Sequence, residues 1–468
     1  MEAVSKEETT MVGQTVLDRF VEEAPFCVMD RAILENVFAP ARLDELFTRT
    51  AQTQYQRELL FSTVVDLMSL VVCRASPSIH QAYRKRKDEI PVSIRALYDK
   101  LGHVEPATSR ELVLHSAREA AALIRELGGA AEPLLAGYRV KILDGNHLAG
   151  TEHRLKPLRA KGGGARPGQS VVVLDPQLRI VLDVAPSLDA YDQECRLVLP
   201  LLENLEPRDV VIGDRLYSTS DIVFGIRRRK AFFIIRQHPS RPPWKLAGAP
   251  QSLGRVETGE LIEQHVDVTD TATGKTARVR RVTIKLDQPT RDKDTELHLL
   301  TNLPVKAALA KKVAELYQRR WTIETAFQEL TTHLKCELNT LGYPPAAVFG
   351  FCTAVACYNV LAVTQAALAG AHGREAVEGT LSHWQMAEEL SATYRGMMIA
   401  LPPTEWACYQ ELSSKELSQI LLGWAKKVDV SRYRKSVRGP KKRTKRPSAK
   451  SQHVSTIRLL KAQNPDTG

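Results

Sequence analysis

Two segments of the chain share one design, in which a short apolar run ends in an aspartate and is followed by turn-forming residues. Residues 138–147 carry Asp144 and residues 209–218 carry Asp214. Continuous apolar runs of this length are typical of strands buried on both faces of a sheet. The pattern therefore predicts two aspartates that end adjacent strands in the centre of one sheet. One such aspartate is weak evidence, because aspartate is common in turns.

A third segment, residues 316–334, has the apolar spacing of a helix. The residues that recur at steps of three, four and seven are Leu316, Ile323, Phe327, Leu330 and Leu334. Tyr317, Arg320 and Glu324 lie three and four residues apart, so they are predicted to form a second stripe on the same helix. That stripe suits a site that binds a metal ion and a phosphate together. The alternative is an ordinary surface stripe with an Arg–Glu pair.

Three carboxylates from separate elements, Asp144, Asp214 and Glu324, favour a two-metal site. Such a set can hold two divalent cations about 3.5–4 Å apart, which activates a water or hydroxyl and stabilises the leaving oxygen at phosphorus. Carboxylate ligands match the preference of Mg²⁺, for which we expect Mn²⁺ to substitute. We expect Arg320 to clamp a phosphate in a forked contact that lysine cannot reproduce.

Together the three segments resemble the DDE transposases of bacterial insertion sequences. Within these, the chain resembles the family with a tyrosine–arginine–glutamate–lysine signature, the insertion sequence four type. Tyr317, Arg320 and Glu324 fit the signature spacing, whereas the lysine position falls on Thr331. Lys335 lies one turn further along the predicted helix, and the sequence leaves open whether it replaces the missing lysine. The resemblance covers roughly residues 130 to 350.

This resemblance implies a ribonuclease-H-like α/β core, with a mixed sheet flanked by helices and interrupted by a β-rich insertion. It implies cleavage of DNA strands at terminal inverted repeats and transfer of the 3′ hydroxyl to target DNA, by a homodimer in the DNA complex. Tyr317 would orient a phosphate or an extruded nucleotide, and Arg215 would contact DNA beside Asp214. Trp244 would stack on an extruded base, although buried packing is an equally good interpretation.

The pattern along the chain predicts five regions. Residues 1–135 form a helical N-terminal domain that binds DNA ends, and residues 136–239 with 301–350 form the catalytic core. Residues 240–300, which alternate with period two, form the β-rich insertion. Residues 351–430 form a helical C-terminal region, and residues 431–468 form a basic tail.

Most of the net charge of +11 lies in one place, because residues 432–450 contain ten basic residues and no acid. This stretch predicts a polybasic arm that binds DNA non-specifically; a solubilising end is the alternative. A second basic cluster lies between predicted helices, where it favours DNA contact over a plain solvated loop. The DNA-binding candidates from these two segments are Arg84, Lys85, Arg86, Lys87, Lys441, Lys442 and Arg443.

Several other functions are disfavoured. The acidic, polar start predicts no secretory signal, and no run of 18 or more apolar residues occurs. The apolar stretch 345–369 is expected to be a buried helix. The seven cysteines are scattered, which argues against a disulfide framework or a zinc site and favours a bacterial cytoplasmic protein associated with the nucleoid. His147 lies close to Asp144, but a turn histidine without a metal role is the favoured interpretation.

Two other functions remain open at this stage. The first is a nuclease of the same fold that cuts DNA without joining it. The second is a catalytically inactive DNA-binding protein, for which Thr331 speaks and the three intact carboxylates speak against. The terminal repeat sequence, the target preference, the occurrence of a hairpin intermediate and the oligomeric state without DNA do not follow from the sequence.

Overall fold

The computed structural model describes residues 16–161, 164–290, 293–435 and 454–463. Its centre is a nine-stranded mixed sheet in the order β4-β3-β1-β5-β6-β10-β9-β8-β7. The strands of this sheet and a separate short pair, β2 and β11, are β1 (Arg139–His147), β2 (Ala165–Arg166), β3 (Gln169–Asp175), β4 (Ile180–Ser187), β5 (Asp209–Gly213), β6 (Phe232–Arg236), β7 (Trp244–Val256), β8 (Gly259–Thr269), β9 (Thr276–Leu286), β10 (Glu296–Thr301) and β11 (Val454–Ser455).

The first five strands of the sheet have the order and directions expected of the predicted core. β3 pairs antiparallel with both β1 and β4, whereas β5 pairs in parallel with β1 and β6. Strands joined in parallel need a crossover, and short helices lie between β4 and β5 and between β5 and β6. This arrangement is consistent with a ribonuclease-H-like sheet.

The predicted β-rich insertion continues the same sheet. Strands β7, β8 and β9 pair antiparallel with their neighbours, and β10 joins β9 to β6 of the core. The period-two pattern of residues 240–300 thus produced strands, as predicted. Their place as an extension of the central sheet depends on the pairing of β10 with β6, which the sequence does not specify.

Helices cover both faces of the core strands. In chain order they are α1 (Pro25–Val37), α2 (Pro40–Thr50), α3 (Phe61–Val72), α4 (Ile79–Lys85), α5 (Ile94–Leu101), α6 (Pro106–Glu126), α7 (Glu194–Leu197), α8 (Leu199–Leu202), α9 (Ser220–Arg228), α10 (Ala310–Gln318), α11 (Trp321–His333), α12 (Pro344–His372), α13 (Arg374–Val377), α14 (His383–Ala400), α15 (Ser414–Ala425) and α16 (Thr456–Gln463). Helices α6, α11 and α12 pack on one face, and α7, α8 and α9 pack on the other.

Alternation along the strands separates two hydrophobic cores. Val140 and Ile142 of β1 belong to the larger core, which the sheet shares with the N-terminal and C-terminal helices. Leu143 belongs to the smaller core beneath α7, α8 and α9. Successive side chains of a strand point to opposite faces, so Asp144 continues the face of Val140 and Ile142, and Gly145 continues the face of Leu143.

Helix α12 is the centre of the larger core. It is the only described helix that is long and apolar enough to cross a membrane, but 89% of its most apolar window is buried inside the protein. The expected buried helix over residues 345–369 is therefore observed. N-terminal and C-terminal helices pack on α12 and share its core, so the domain boundaries predicted within the helical regions do not coincide with separate cores.

The chain also returns to the sheet near its end. β11 pairs in parallel with β2, and α16 follows directly. Arg458 of α16 donates to Asp189 at 2.5 Å, and the hydroxyl of Ser455 donates to the same carboxylate at 2.6 Å. The part of the predicted basic tail that the structure describes at residues 454–463 is thus docked on the core.

Candidate functional site

Asp144 lies inside strand β1, three residues before its end at His147. The prediction that the strand ends at Asp144 is wrong, because β3 continues to pair with β1 as far as His147. The parallel pairing with β5 does end earlier, at Ile142 and Ile212. Asp144 is therefore held by a strand on one side and stands beside an open position on the other.

Asp214 follows β5 directly and occupies that neighbouring position. Ile142 pairs with Ile212, so Asp144 and Asp214 each lie two residues beyond the same parallel pair. The Asp214 carboxylate accepts the backbone N–H of Leu216 at 2.7 Å, which caps a short 3₁₀ turn over Arg215–Tyr217. The structure thus brings the two predicted aspartates together at one edge of the sheet, on adjacent strands.

The signature segment is divided between two helices. Tyr317 lies in α10, Glu324 lies in α11, and a tight turn at Arg319 and Arg320 joins them, with the Arg320 N–H bonded to the Tyr317 carbonyl at 3.0 Å. The prediction of one continuous helix is therefore wrong. Both turn residues keep helical dihedral angles, so the side-chain spacing survives the break. The turn contains neither glycine nor proline, and the apolar pattern does not reveal it.

Arg320 bridges the sheet and the helix. Its guanidinium lies 3.5 Å from the Asp144 carboxylate and 3.0 Å from that of Glu324. The Arg320 side chain is mostly buried, and its Nε atom has no hydrogen-bond partner. A fixed, half-satisfied guanidinium between two carboxylates has N–H donors left for an anion such as a phosphate.

Tyr317 is buried beside this arginine. Burial raises the pKa of its hydroxyl, while the positive charges of Arg320 and Arg236 lower it. Only 7% of the residue is exposed, so its ring face is not available for stacking. The exposed aromatic at this place is the neighbouring Trp321, at 65%.

Burial raises the pKa of Asp144 to about 6, with the charge of Arg320 opposing it and the charges of Asp214 and Glu194 adding to it. The carboxylates at this edge therefore repel one another. Their charge is only partly compensated by Arg320. A bound cation would lower this repulsion.

The donor set has the chemistry of a site for a hard divalent cation, since all donors are carboxylate oxygens. Within the described residues, however, no three His, Cys, Asp or Glu side chains lie close enough to form a ready-made metal cage. Arg320 contacts both Asp144 and Glu324. Asp144, Asp214 and Glu324 could therefore hold cations only after Glu324 moves relative to this arginine.

Two residues at the site were not predicted from the sequence. Glu194, the first residue of α7, adds a fourth carboxylate near Asp144 and Asp214. Trp321 follows Arg320 directly. Its place beside the signature arginine was a signal that could have been used, whereas Glu194 lies in a segment without a distinctive pattern.

Lys335 lies away from the site. Helix α11 ends at His333, and Leu334 has extended backbone, so the prediction that Lys335 continues the helix is wrong. Its N–H donates to the Val72 carbonyl at 2.8 Å and its Nζ donates to the Pro77 carbonyl at 2.7 Å. These contacts with the N-terminal helices direct it away from Glu324.

Thr331, at the signature lysine position, is exposed. Its hydroxyl donates back to carbonyls of its own helix, at Phe327 and Gln328. A threonine held in this way supplies no cation, so the departure from the signature is not compensated by Thr331 or by Lys335.

Trp244 begins β7 and packs partly against the smaller core. Its indole N–H donates to the Pro239 carbonyl at 3.2 Å, and the guanidinium of Arg281 lies 5.4 Å from its ring centre. These contacts favour the packing interpretation. Arg215 lies next to Asp214 in the 3₁₀ turn, and its contact with DNA stays a prediction.

The cluster Arg84 to Lys87 lies at the end of α4 and beyond it. Arg86 pairs with Glu89 at 2.8 Å and also contacts Asp66. Arg84, Lys85 and Lys87 are exposed. One of the four cations is thus neutralised within the protein, and DNA binding by the others stays a prediction. Lys441, Lys442 and Arg443 lie outside the described residues.

His147 lies 3.8 Å from Glu194, measured from its Nε2 to a carboxylate oxygen. It ends β1 and is part of the strand, so it is not a turn residue as the sequence suggested.

Comparison with known proteins supports a DDE transposase. Residues 135–360, just under half of the chain, match the family model described as the transposase DDE domain, and this segment contains Asp144, Asp214 and Glu324. Among solved structures, the cryo-EM synaptic complex of piggyBac transposase with hairpin DNA is 10% identical, covers 86% of each chain and has a TM-score of 0.38. That likeness is too low to carry an argument. No curated protein matches the chain.

Proposed function

We propose that the protein is the transposase of an insertion sequence, of the type with the Tyr-Arg-Glu-Lys signature. It binds the inverted repeats at the element ends, cuts a phosphodiester strand at each end and joins the freed 3′ hydroxyl to target DNA. The observation that carries this proposal is the meeting of Asp144, Asp214 and Glu324 around Arg320, from three separate elements. The match to the transposase DDE domain supports it over the same residues.

Asp144, Asp214 and Glu324 would hold the divalent cations, with Mg²⁺ the expected ion and Mn²⁺ a substitute. When bound, such ions supply a nucleophile and stabilise the leaving oxygen. The residues of the chain itself do the positioning: β1 and the turn after β5 fix the two aspartates, and Arg320 holds a phosphate oxygen. When Arg320 moves onto a phosphate, Glu324 is released from its ion pair.

Trp321 is proposed to stack on an unpaired base at the cleaved end. Its exposed ring directly follows the arginine that would bind the adjacent phosphate. Stacking of a base on an aromatic side chain requires an open ring face, which Tyr317 and Trp244 do not offer in this structure. The exposed basic residues of the α4 cluster and the tail would contact the DNA backbone, and two copies would act together on the paired ends.

The test is incubation of the full chain with DNA from the flanks of its coding sequence and Mg²⁺, with products resolved at single-nucleotide resolution. The proposal expects cuts at repeat ends and joined products in which the 3′ hydroxyl is covalently linked to a second DNA. Cuts without joined products would identify a nuclease of the same fold. Binding without cuts would identify a DNA-binding protein that has lost catalysis.

A further inference from the structure

Glu194 reaches the edge of the sheet from the face opposite to α11. Its carboxylate lies directly over the Cα atom of Gly145, because a Cβ atom added to that glycine would lie 2.0 Å from the Glu194 Oε2 atom. Gly145 follows Asp144 in β1. The absence of a side chain at this one position allows a carboxylate from α7 to sit beside the first candidate metal ligand.

The Glu194 carboxylate is held by a donor that belongs to the second candidate ligand's turn. The hydroxyl of Tyr217 donates to Glu194 Oε2 at 3.2 Å, and Tyr217 lies three residues after Asp214. Its ring is fully buried and sits against Gly213. Burial, and then the charges of Glu194, Asp144 and Asp214, raise the pKa of Tyr217 well above its usual range, so its proton stays on the oxygen as a donor.

The charges at this edge are unbalanced on the Glu194 side. Burial raises the pKa of Glu194, the hydrogen bond from Tyr217 opposes this, and the charge of Asp214 adds to it. Arg320 contacts Asp144 and Glu324 on the other face of the sheet. A cation at the edge would lie between Glu194 on one face and Asp144 on the other, level with Asp214.

We propose that Glu194 is a fourth acidic group of the catalytic centre and an oxygen donor to the divalent cation held by Asp144 and Asp214. This inference rests on the proposed two-metal function of the site. Tyr217 is then a positioning residue, which fixes the carboxylate without touching the cation. Because Glu194 is held by the sheet side of the site, it would let a cation bind before Glu324 leaves Arg320.

A purely structural role for Glu194 makes a different prediction. Glutamine has nearly the same shape and can accept the Tyr217 hydrogen bond through its amide oxygen. Glu194→Gln would therefore preserve packing and remove only the charge. Glu203→Gln is the matched control, since Glu203 is exposed at the end of the same helical segment, after α8.

The experiment measures Mn²⁺ binding to the full-length protein without DNA, by electron paramagnetic resonance of the free ion, together with thermal unfolding in EDTA. Glu194→Gln is expected to weaken Mn²⁺ binding by roughly 10- to 100-fold, and Tyr217→Phe by roughly tenfold, as for groups around a metal. Glu203→Gln should bind Mn²⁺ like the wild type. In EDTA, Glu194→Gln should unfold at the wild-type temperature or above, because it removes a repelling charge.

The outcomes separate this inference from the proposed function. Wild-type affinity in Glu194→Gln, with binding lost in Asp214→Asn, would overturn the role of Glu194 and leave the two-metal site standing. Wild-type affinity in Asp214→Asn as well, or a wild type that binds no Mn²⁺, would contradict the proposed function itself. A lower unfolding temperature of Glu194→Gln in EDTA, with unchanged Mn²⁺ affinity, would assign Glu194 to the structure of the protein.

Discussion

The candidate site has two sides that are held in different ways. On the sheet side, Asp144 is about one-fifth exposed, at 21%, and is fixed by strand pairing. On the helix side, Glu324 is about half exposed, at 53%, and its carboxylate is held by an ion pair with Arg320. Exposed ion pairs contribute little to stability, whereas strand register is fixed by many hydrogen bonds. The sheet side is thus built in advance, and the helix side can be rearranged by a ligand.

This difference has a consequence for Arg320. It can bind the Asp144 and Glu324 carboxylates or a phosphate, and a phosphate carries more negative charge than either carboxylate. The arrival of DNA would therefore compete for the guanidinium and free Glu324 to complete the metal site. The predictions below test whether the two sides differ in this way, from the largest expected effect to the smallest.

Removal of any of the three carboxylates should have the largest effect. We expect Asp144→Ala, Asp214→Ala and Glu324→Ala each to abolish strand cleavage while DNA binding is kept, because two-metal chemistry needs all three. Cleavage of labelled repeat DNA and a mobility-shift measurement check this. A variant at Asp214 that binds DNA and still cuts would exclude the two-metal assignment. Ca²⁺ should support DNA binding but little cleavage.

The next effect concerns Arg320. Arg320→Lys should lower the cleavage rate by roughly 10²–10³-fold, the cost of removing one well-placed donor to a developing charge. Lysine keeps the charge but not the forked contact. Single-turnover rates on pre-bound DNA measure this effect. Arg319→Lys, at the exposed neighbouring position, is the control and should cut normally. Equal rates for the wild type and Arg320→Ala would remove Arg320 from the active site.

A smaller effect is expected from pH. The pKa of Asp144 is raised to about 6, so its carboxyl group is protonated in the folded protein below that pH. A protonated carboxyl group does not bind a cation, so Mn²⁺ affinity should fall about tenfold per unit as the pH drops below about 6. The raised pKa also means that Asp144 favours folding below its unfolded pKa, and that this contribution is lost as the pH rises through about 6. Without metal, Asp144→Asn should therefore unfold at a higher temperature than wild type at pH 7.5, and at nearly the same temperature at pH 4.

The basic tail tests binding outside the site. Replacing Lys441, Lys442 and Arg443 by Gln should reduce the salt dependence of non-specific DNA binding by at most about three units in log–log form, and less if some make no phosphate contact. Substitution is a cleaner test than deletion of residues 432–468, which would also remove buried Tyr433 and the docked helix α16. Binding to unrelated DNA at several salt concentrations provides the slope. An unchanged slope would make the segment a passive solubilising stretch.

The smallest effect is expected from Lys335. Its contacts with the Val72 and Pro77 carbonyls place it away from Glu324, so Lys335→Ala should leave the cleavage rate within about twofold of wild type. The free energy of unfolding should fall by about 1 kcal/mol or less, the usual contribution of one hydrogen bond. Chemical denaturation and the cleavage assay check both. A large loss of cleavage with unchanged stability would return Lys335 to the site.

Local chemistry in the sequence was enough to predict the core strands and the identity of Asp144, Asp214, Arg320 and Glu324. Apolar runs specify buried strands, and the alternating pattern of residues 240–300 specifies further strands, because these patterns act over a few residues. The match over residues 135–360 agrees with the resemblance at the level of DDE transposases. The insertion-sequence type, the DNA partner and the metal remain proposals.

Tertiary structure decided what depends on contacts between distant segments. The extension of β1 to His147 follows from its pairing with β3, and the position of Lys335 follows from carbonyls more than 250 residues earlier in the chain. Glu194 became part of the site because Gly145 leaves room for it and Tyr217 holds it. None of these contacts has a local signal, since each depends on two segments that meet only when the sheet and its helices are assembled.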